Sequence, residues 1–226
     1  MIDADSEFFT AVNVLPANGN ESADTLTLVD QETSAQENKI EQLSIDGAGF
    51  DGPVLRELED ERGIQVFVPP KQTSPAGRFG SEDFTVSEDG SHVTRPAGHG
   101  SKYRQRDEAQ HGTSYRFDKS LCDACPLRTQ CLKTTQKRGR TVRINDYSAE
   151  YARVRERAQT EEYASVKREH PAVERRLGHL VNRYGGRRAR YRGLPRVLSQ
   201  QLMGAFTHNV DRLIRLLDLR ANLMFA

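Results

Sequence analysis

The sequence predicts an α/β protein: a mixed sheet with flanking helices, a loop-rich segment that carries all the cysteines, and a helical C-terminal part. Three observations lead there. Residues 1–70 alternate strand-like and helix-like stretches, the pattern of crossover connections between parallel strands. From Lys71 to about Gly112 that pattern breaks into Gly, Ser, Pro and charge. From about Ser148 apolar residues recur at helical spacing. The chain therefore divides into 1–70, 71–159 and 160–226.

Taken in order, residues 2–3 open strand-like, and SEFFTAVNVL (6–15) reads as a strand pairing back across DADS. PANGNES turns the chain, and Ser22 is placed to cap a helix from near Ala23. LSID (43–46) is a short apolar strand ending at an Asp, followed by GAGFDG. Pro53 suits the first turn of the helix PVLRELEDER, Gly63 ends it, and IQVFVPP (64–70) is a buried-type strand. Within the loop-rich stretch FTVSEDGSHVT reads as a weak hairpin. Helical pattern then runs through EYARVRERAQTEEYASVKRE, is interrupted or restarted at Pro171, and continues through AVERRLGHLVNRY to Gly185 and Gly186. An arginine-rich connection leads to a last amphipathic helix, Leu198 to Leu223.

With 36% hydrophobic and 29% charged residues over 226 positions, the chain reads as soluble and globular. No apolar run approaches the ~18 residues of a membrane span, and the start lacks a signal-peptide pattern. Three clustered cysteines without such a signal point to the cytoplasm, and to metal binding rather than a disulfide framework. The net charge of +1 hides an asymmetry: residues 1–70 carry −12 and residues 71–226 carry +13. A split of this size suits a polyanion such as nucleic acid, or the mutual attraction of the two halves.

Asp46, at the C-terminal end of an apolar strand before Gly47 and Gly49, stands where α/β sites form; an Asp beside Gly also serves as a turn or capping residue. Asp3 shares that ambiguity. Glu174 lies on a helix with Val173 and Leu177 on its inner side, and residues 175–210 hold eight arginines and no acid. It is either a solvated surface group or a cation ligand beside a phosphate backbone. Two aspartates on neighbouring strands and a helical glutamate suit Mg²⁺, which takes oxygen ligands and keeps waters that phosphate can replace. Two such ions ~4 Å apart serve phosphodiester chemistry.

These parts, in this order, resemble the DDE transposases of bacterial insertion sequences, in the branch with a cysteine-bearing insertion. The resemblance runs through IDADSEFFTAVNVLPANGNESADTL, LSIDGAGFDGPVLRELEDERGIQVFVPPK and AVERRLGHLVNRYGGRRARYRGLPRV, with GAFTHNVDRL after it. It implies an RNase H-like fold and carries the catalytic, metal-holding triad onto Asp3, Asp46 and Glu174, with Mg²⁺ or Mn²⁺. It implies hydrolysis at transposon ends, then attack of a 3′-hydroxyl on target DNA, and a nucleoid-associated protein. The segment from Lys71 to about Gln159 would be the insertion. The family's Tyr, Arg and Lys around the Glu fall here on Lys167, His170 and Val181; the first two can still meet phosphate and Val181 cannot. Gly49–Phe50 replaces the family's Gly-Tyr. The chain opens two residues before Asp3, where the family has most of a first strand and a helical DNA-binding region. That implies a truncated copy with a weakened sheet and a loosened Asp3, completed by self-association or an N-terminal fragment.

CDACPLRTQC (122–131) places Cys122, Cys125 and Cys131 at a spacing that allows one structural zinc, one ligand short of a closed site. Where the family has a fourth Cys this chain has Arg95; His92, His99 or His111 are substitutes, and three reduced, unmetallated thiols are the other reading. Thiolates do not suit phosphoryl-transfer metals, so this motif belongs to stability. Arg187, Arg188, Arg190, Arg192 and Arg196, with Tyr184 and Tyr191 among them, are the candidate contacts to DNA backbone. Lys133, Lys137, Arg138, Arg140 and Arg143 form a second patch. Beside the transposase, two readings stand: a DNA-binding remnant without catalysis, and a metal-dependent nuclease without strand transfer.

Overall fold

The computed structural model describes residues 1–36, 39–71 and 77–224 of the chain; residues 72–76 of the expected loop lie outside them. The architecture is mixed α/β, with small sheets and helices in two compact units, residues 1–69 with 153–226, and residues 70–152.

The first unit begins with a turn rather than a strand. Ile2 and Phe9 form one antiparallel bridge, and residues 10–15 join no ladder among the described residues. The expected strand over 6–15 has a different partner: the Asn209 side chain accepts from the Phe9 N–H at 2.9 Å and donates to the Phe9 carbonyl at 2.7 Å, pairing this backbone as a neighbouring strand would. Helix α1 (Glu21–Gln36) follows. Its cap is Asn20, whose Oδ1 accepts from the N–H groups of Ser22 and Ala23, and not Ser22 as the sequence suggested. The Ser22 hydroxyl instead donates to the Ala48 carbonyl at 2.6 Å.

Strands β1 (Gln42–Ser44) and β2 (Gln65–Phe67) pair in parallel, with Leu43 opposite Val66. A parallel pair needs a crossover connection, which includes α2 (Gly52–Arg56), with Asp51 as its cap and Pro53 in the first turn as expected. A π turn over Glu57–Glu61 extends it, and Gly63 at φ +66° reverses the chain into β2. Val29, Leu43, Val54, Leu55, Leu58, Ile64, Val66, Phe67 and Val68, in and around this pair, are buried.

Helix α5 (Ser148–Arg157) brings the chain back into this unit. Its last turn is locked by Glu59, which pairs with both Arg153 and Arg157, while Arg157 also donates to the Val66 carbonyl and lies over the Phe67 ring. Residues 158–160 break the helix. Thr160 then caps α6 (Glu161–Asn182), accepting from the Tyr163 N–H at 3.1 Å. Pro171 does not interrupt α6 as the sequence implied. It removes only the N–H that would meet the Lys167 carbonyl, and the rest of the helix holds it in line. Helix α7 (Leu194–Met224) starts four residues earlier than expected, with Pro195 in its first turn. Phe9, Leu180 and Ala205 form a small core beside Ile2, Val12 and Tyr184.

The second unit holds two sheets. The expected hairpin is present as β3 (Thr85–Val86) and β4 (Val93–Thr94). A three-stranded antiparallel sheet of β5 (Tyr103–Asp107), β6 (Gly112–Arg116) and β7 (Thr141–Asn145) lies where the sequence suggested loops and a basic patch. Short helices α3 (Lys119–Asp123) and α4 (Arg128–Cys131) carry the cysteines. Phe84, Val93, Tyr115, Phe117, Cys122, Cys131, Leu132 and Val142 form its core. No described helix is long and apolar enough to cross a membrane.

Candidate functional site

Asp46 lies two residues beyond the end of β1. Its backbone is extended, its side chain is exposed, and Oδ1 accepts from the Ala48 N–H at 2.9 Å, capping a single 3₁₀ turn over Gly47–Gly49. It is thus both an exposed carboxylate at a strand end and a turn residue. Gly49 lies close under Ile45: a Cβ there would come 2.3 Å from Ile45 Cδ1 and force that side chain to shift. Ser22 holds the far side of the same turn through Ala48.

The helix that carries Glu174 lies along β1. Glu162, in its first turn, accepts from Gln42 at 3.1 Å and Gln65 at 3.2 Å. The Lys167 ammonium donates to the Ile45 carbonyl at 3.2 Å, and His170 Nδ1 lies 3.3 Å from the Ser44 hydroxyl. Both residues, candidates for phosphate contact in the sequence, are turned onto the strand. Burial pushes the Lys167 pKa below the usual lysine value, and the charge of Asp46 opposes that. Glu174 itself is exposed, one turn beyond His170. Leu177, expected on the inner side, is 46% exposed, so the inward stripe of α6 ends in Leu180 instead.

Asp3 is exposed and occupied locally: Oδ2 accepts from the Ser6 N–H at 2.7 Å and the Ser6 hydroxyl at 2.5 Å. Its turn is tied to both C-terminal helices. Glu7, at φ +60°, pairs with Arg176 of α6 and, at 2.9 Å, with Arg212 of α7. Arg212 also donates to the Ser6 carbonyl at 3.1 Å. The left-handed backbone at Glu7 costs free energy, which two ion pairs in a half-buried setting offset. Asp3, Asp46 and Glu174 thus all belong to one unit. Among the described residues, however, no three His, Cys, Asp or Glu side chains stand together as a group that could hold a metal.

The arginine-rich connection between α6 and α7 is built by two glutamines. Gln200 accepts from the Arg190 N–H at 2.8 Å and donates to the carbonyls of Gly185 and Arg188; Gln201 donates to that of Gly186. The backbone is held from inside while Arg187, Arg188, Arg190, Arg192 and Arg196 stay exposed. None of the five pairs with a carboxylate among the described residues. The connection and the start of α7 enclose an open cleft of about 950 Å³, lined by Arg183, Arg190, Arg196, Tyr184, Tyr191 and Met203 among others. Tyr191 is 55% exposed. Unpaired guanidinium groups beside aromatic rings suit a phosphate backbone with unpaired bases. Sequence reasoning found these arginines and missed their scaffold, Gln200 and Gln201, as well as Glu7 and Asn209. A glutamine or asparagine that bonds distant backbone carries no local signal.

The second basic patch divides. Lys133, Lys137 and Arg138 are exposed, whereas Arg143 pairs with Asp107 and Gln110, and Arg140 turns inward to the carbonyls of Cys131 and Phe79. All three cysteines are buried and free, around a small pocket that Arg95 also lines. His92, His99 and His111 are exposed and none of them lines it.

A family model described as a transposase DDE domain matches residues 94–214, over half of the chain. The match takes in Glu174, the arginine cleft and most of α7, and begins after Asp3 and Asp46. No curated protein and no solved structure matches the chain.

Proposed function

The chain belongs to the transposase DDE domain family, and from that premise we propose that it processes DNA through Asp3, Asp46 and Glu174, cleaving strands at the ends of an insertion sequence and joining them to target DNA. The observation that carries this reading is the docking of the Glu174 helix along the strand that ends in Asp46, through Lys167, His170 and Glu162. An RNase H-like arrangement is supported by the parallel β1–β2 pair with its crossover and by the late helix packed on it.

DNA is the partner that the family implies. The exposed arginines of the α6–α7 connection supply the phosphate contacts, with Arg190 and Arg196 lining the cleft that follows the Glu174 helix. Their guanidinium groups bind the backbone without reading sequence, which positions a strand and makes binding salt-dependent.

Members of this family use divalent metal ions. The three carboxylates offer the oxygen donors that Mg²⁺ or Mn²⁺ prefers. When bound, such ions activate the attacking oxygen and stabilise the leaving one. The donor types fit, although among the described residues the three carboxylates do not stand together as one group. The residues themselves have clear tasks. Asp46 holds a fixed position at a strand end, Lys167 keeps α6 in register with that strand, and the arginines hold the substrate's phosphates.

The test is nicking of supercoiled plasmid by the purified chain with Mg²⁺ or Mn²⁺, beside EDTA, Asp46→Asn and Glu174→Gln. Nicking by the parent alone, lost in EDTA, is the expected result. Equal nicking by a folded Asp46→Asn protein overturns the assignment. Joining of a pre-cleaved end into plasmid separates strand transfer from simple nuclease action.

A further inference from the structure

The strongest unexplained feature lies in the second unit. Cys122, Cys125 and Cys131 line a pocket of about 10 Å³, with Phe84, Phe117, Leu132 and three arginines as the other walls. That is room for about one water molecule. Arg95 is 6% exposed and reaches into it. Its Nη1 lies 3.9 Å from Cys122 Sγ, its Nη2 donates to the Leu121 carbonyl at 3.1 Å, and its guanidinium carbon sits 5.9 Å from the Phe117 ring centre. Its Nε has no partner.

This is an unusual place for a guanidinium. A buried cation is costly unless paired, yet Arg95 pairs with no carboxylate among the described residues. What it meets is soft and electron-rich: the Cys122 thiol, a carbonyl and an aromatic face. The three thiols of the pocket have the donor chemistry of a site for a soft divalent cation, but with Arg95 among them they do not stand together as a group that could hold one. Further features fit such a site. The Arg140 N–H points at Cys122 Sγ at 3.5 Å, and the Arg140 guanidinium is fixed by the Cys131 and Phe79 carbonyls beside the cluster. Donors and positive charge around the sulfurs are what a thiolate cluster needs from its surroundings.

We propose that the Arg95 guanidinium occupies the position of a metal ion in a three-cysteine pocket, cross-linking β4 to α3 in its place, and that removing it opens a latent site for a soft divalent cation. The pocket is small because the head group fills it. Cys122, Cys125 and Cys131 then stay as reduced thiols around an internal cation, and the fold of this unit does not depend on zinc. This holds whether or not the carboxylates of the other unit act on DNA.

The experiment uses the full chain, purified with its thiols reduced, and Arg95→Ala. Zinc content is measured by elemental analysis, and Co²⁺ is titrated while the sulfur-to-cobalt charge-transfer absorption is followed. The parent is expected to carry no stoichiometric zinc, to show no thiolate–cobalt band, and to melt at the same temperature with Zn²⁺ or EDTA. Arg95→Ala is expected to gain the band at one equivalent and to lose it when Zn²⁺ is added. Arg95→Cys, refolded with Zn²⁺, replaces Arg95→Ala if the latter does not fold. A parent that retains one zinc through dialysis against a weak chelator overturns the proposal, whatever the variants do. So does a folded Arg95→Ala protein whose cobalt titration matches that of the parent.

Discussion

The Lys167 ammonium donates to the Ile45 carbonyl at 3.2 Å, one residue before Asp46, and so ties the helix of Glu174 to the strand end of Asp46. The same ammonium feels the Asp46 charge, which raises its pKa against the stronger lowering effect of burial. Lys167→Met keeps the apolar stem and removes the bond. It should lower stability to urea by about 1–2 kcal/mol and reduce nicking more than DNA binding, because it acts on the register of α6. Asp46→Asn should push the Lys167 pKa further down, which NMR titration of the lysine side chain measures. An unchanged pKa would disconnect the two groups.

Glu7 ought to be a stability residue out of proportion to its place near the chain start. It bridges Arg176 of α6 and Arg212 of α7 from a left-handed backbone position. Glu7→Gln leaves two half-buried guanidinium groups without their carboxylate, and should cost about 1–3 kcal/mol in urea unfolding. The hairpin that holds Asp3 should loosen with it, read as faster hydrogen exchange at the Phe9 N–H, which Asn209 now protects.

Much of the first unit was legible in the sequence, because its signals are local. Pro53 marks the start of the helical stretch, Gly63 the turn that follows it, and the apolar runs around Leu43 and Val66 the two strands. In the second unit the β3–β4 hairpin was legible and the three-stranded sheet was not. Tyr103–Asp107 reads YRQRD and is an edge strand, four of whose five side chains are exposed, so no period-2 alternation marks it. Its sheet exists because β6, with Gly112, Thr113 and Tyr115 buried, pairs with it on one side and with β7 on the other. Arg140 and Arg143 looked like free charge and are internal ties, a distinction that rests on distant carbonyls and carboxylates. Asp46, Glu174 and the arginines of 187–196 could be named because residue type and position suffice to nominate them. Gln200 and Asn209, which support them, act across long stretches of chain and could not; Lys167 was named for phosphate, whereas it meets the Ile45 carbonyl.

The arginine cleft makes a quantitative prediction. With no carboxylate partner among the described residues, Arg187, Arg188, Arg190, Arg192 and Arg196 are available to phosphate. Each Arg→Ala change that removes a phosphate contact should lower the slope of log affinity against log salt by about 1 and weaken binding alike for unrelated sequences. Gln200→Ala removes no charge but frees the backbone at Gly185, Arg188 and Arg190. It should weaken binding while leaving the salt slope nearly intact. A slope that drops as much as for the arginine variants would mean that the scaffold role is wrong.

The core beside the cleft should respond to pH. His208 is buried between the rings of Phe9, Tyr184 and His179, and its Nδ1 has no partner. Burial is the main cause that lowers its pKa below 6.5; Arg176 and His179 add to the lowering, while Asn209 and Asp211 oppose it. His179 is lowered too, by burial first and then by Arg183, Arg176, Arg215 and Arg175. Each imidazole is therefore held neutral in the fold at pH values where the unfolded chain already takes up a proton. Below about pH 6.5 the unfolded state binds more protons than the native one, so stability rises with pH there and falls as pH is lowered toward the folded pKa values. Urea unfolding at pH 7 and at pH 5 should show the loss. His208→Phe keeps an aromatic ring, removes the unpartnered nitrogen and takes away one of the two titrating groups. Its stability should change less between those pH values than that of the parent; an identical change in both proteins would place the pH sensitivity elsewhere.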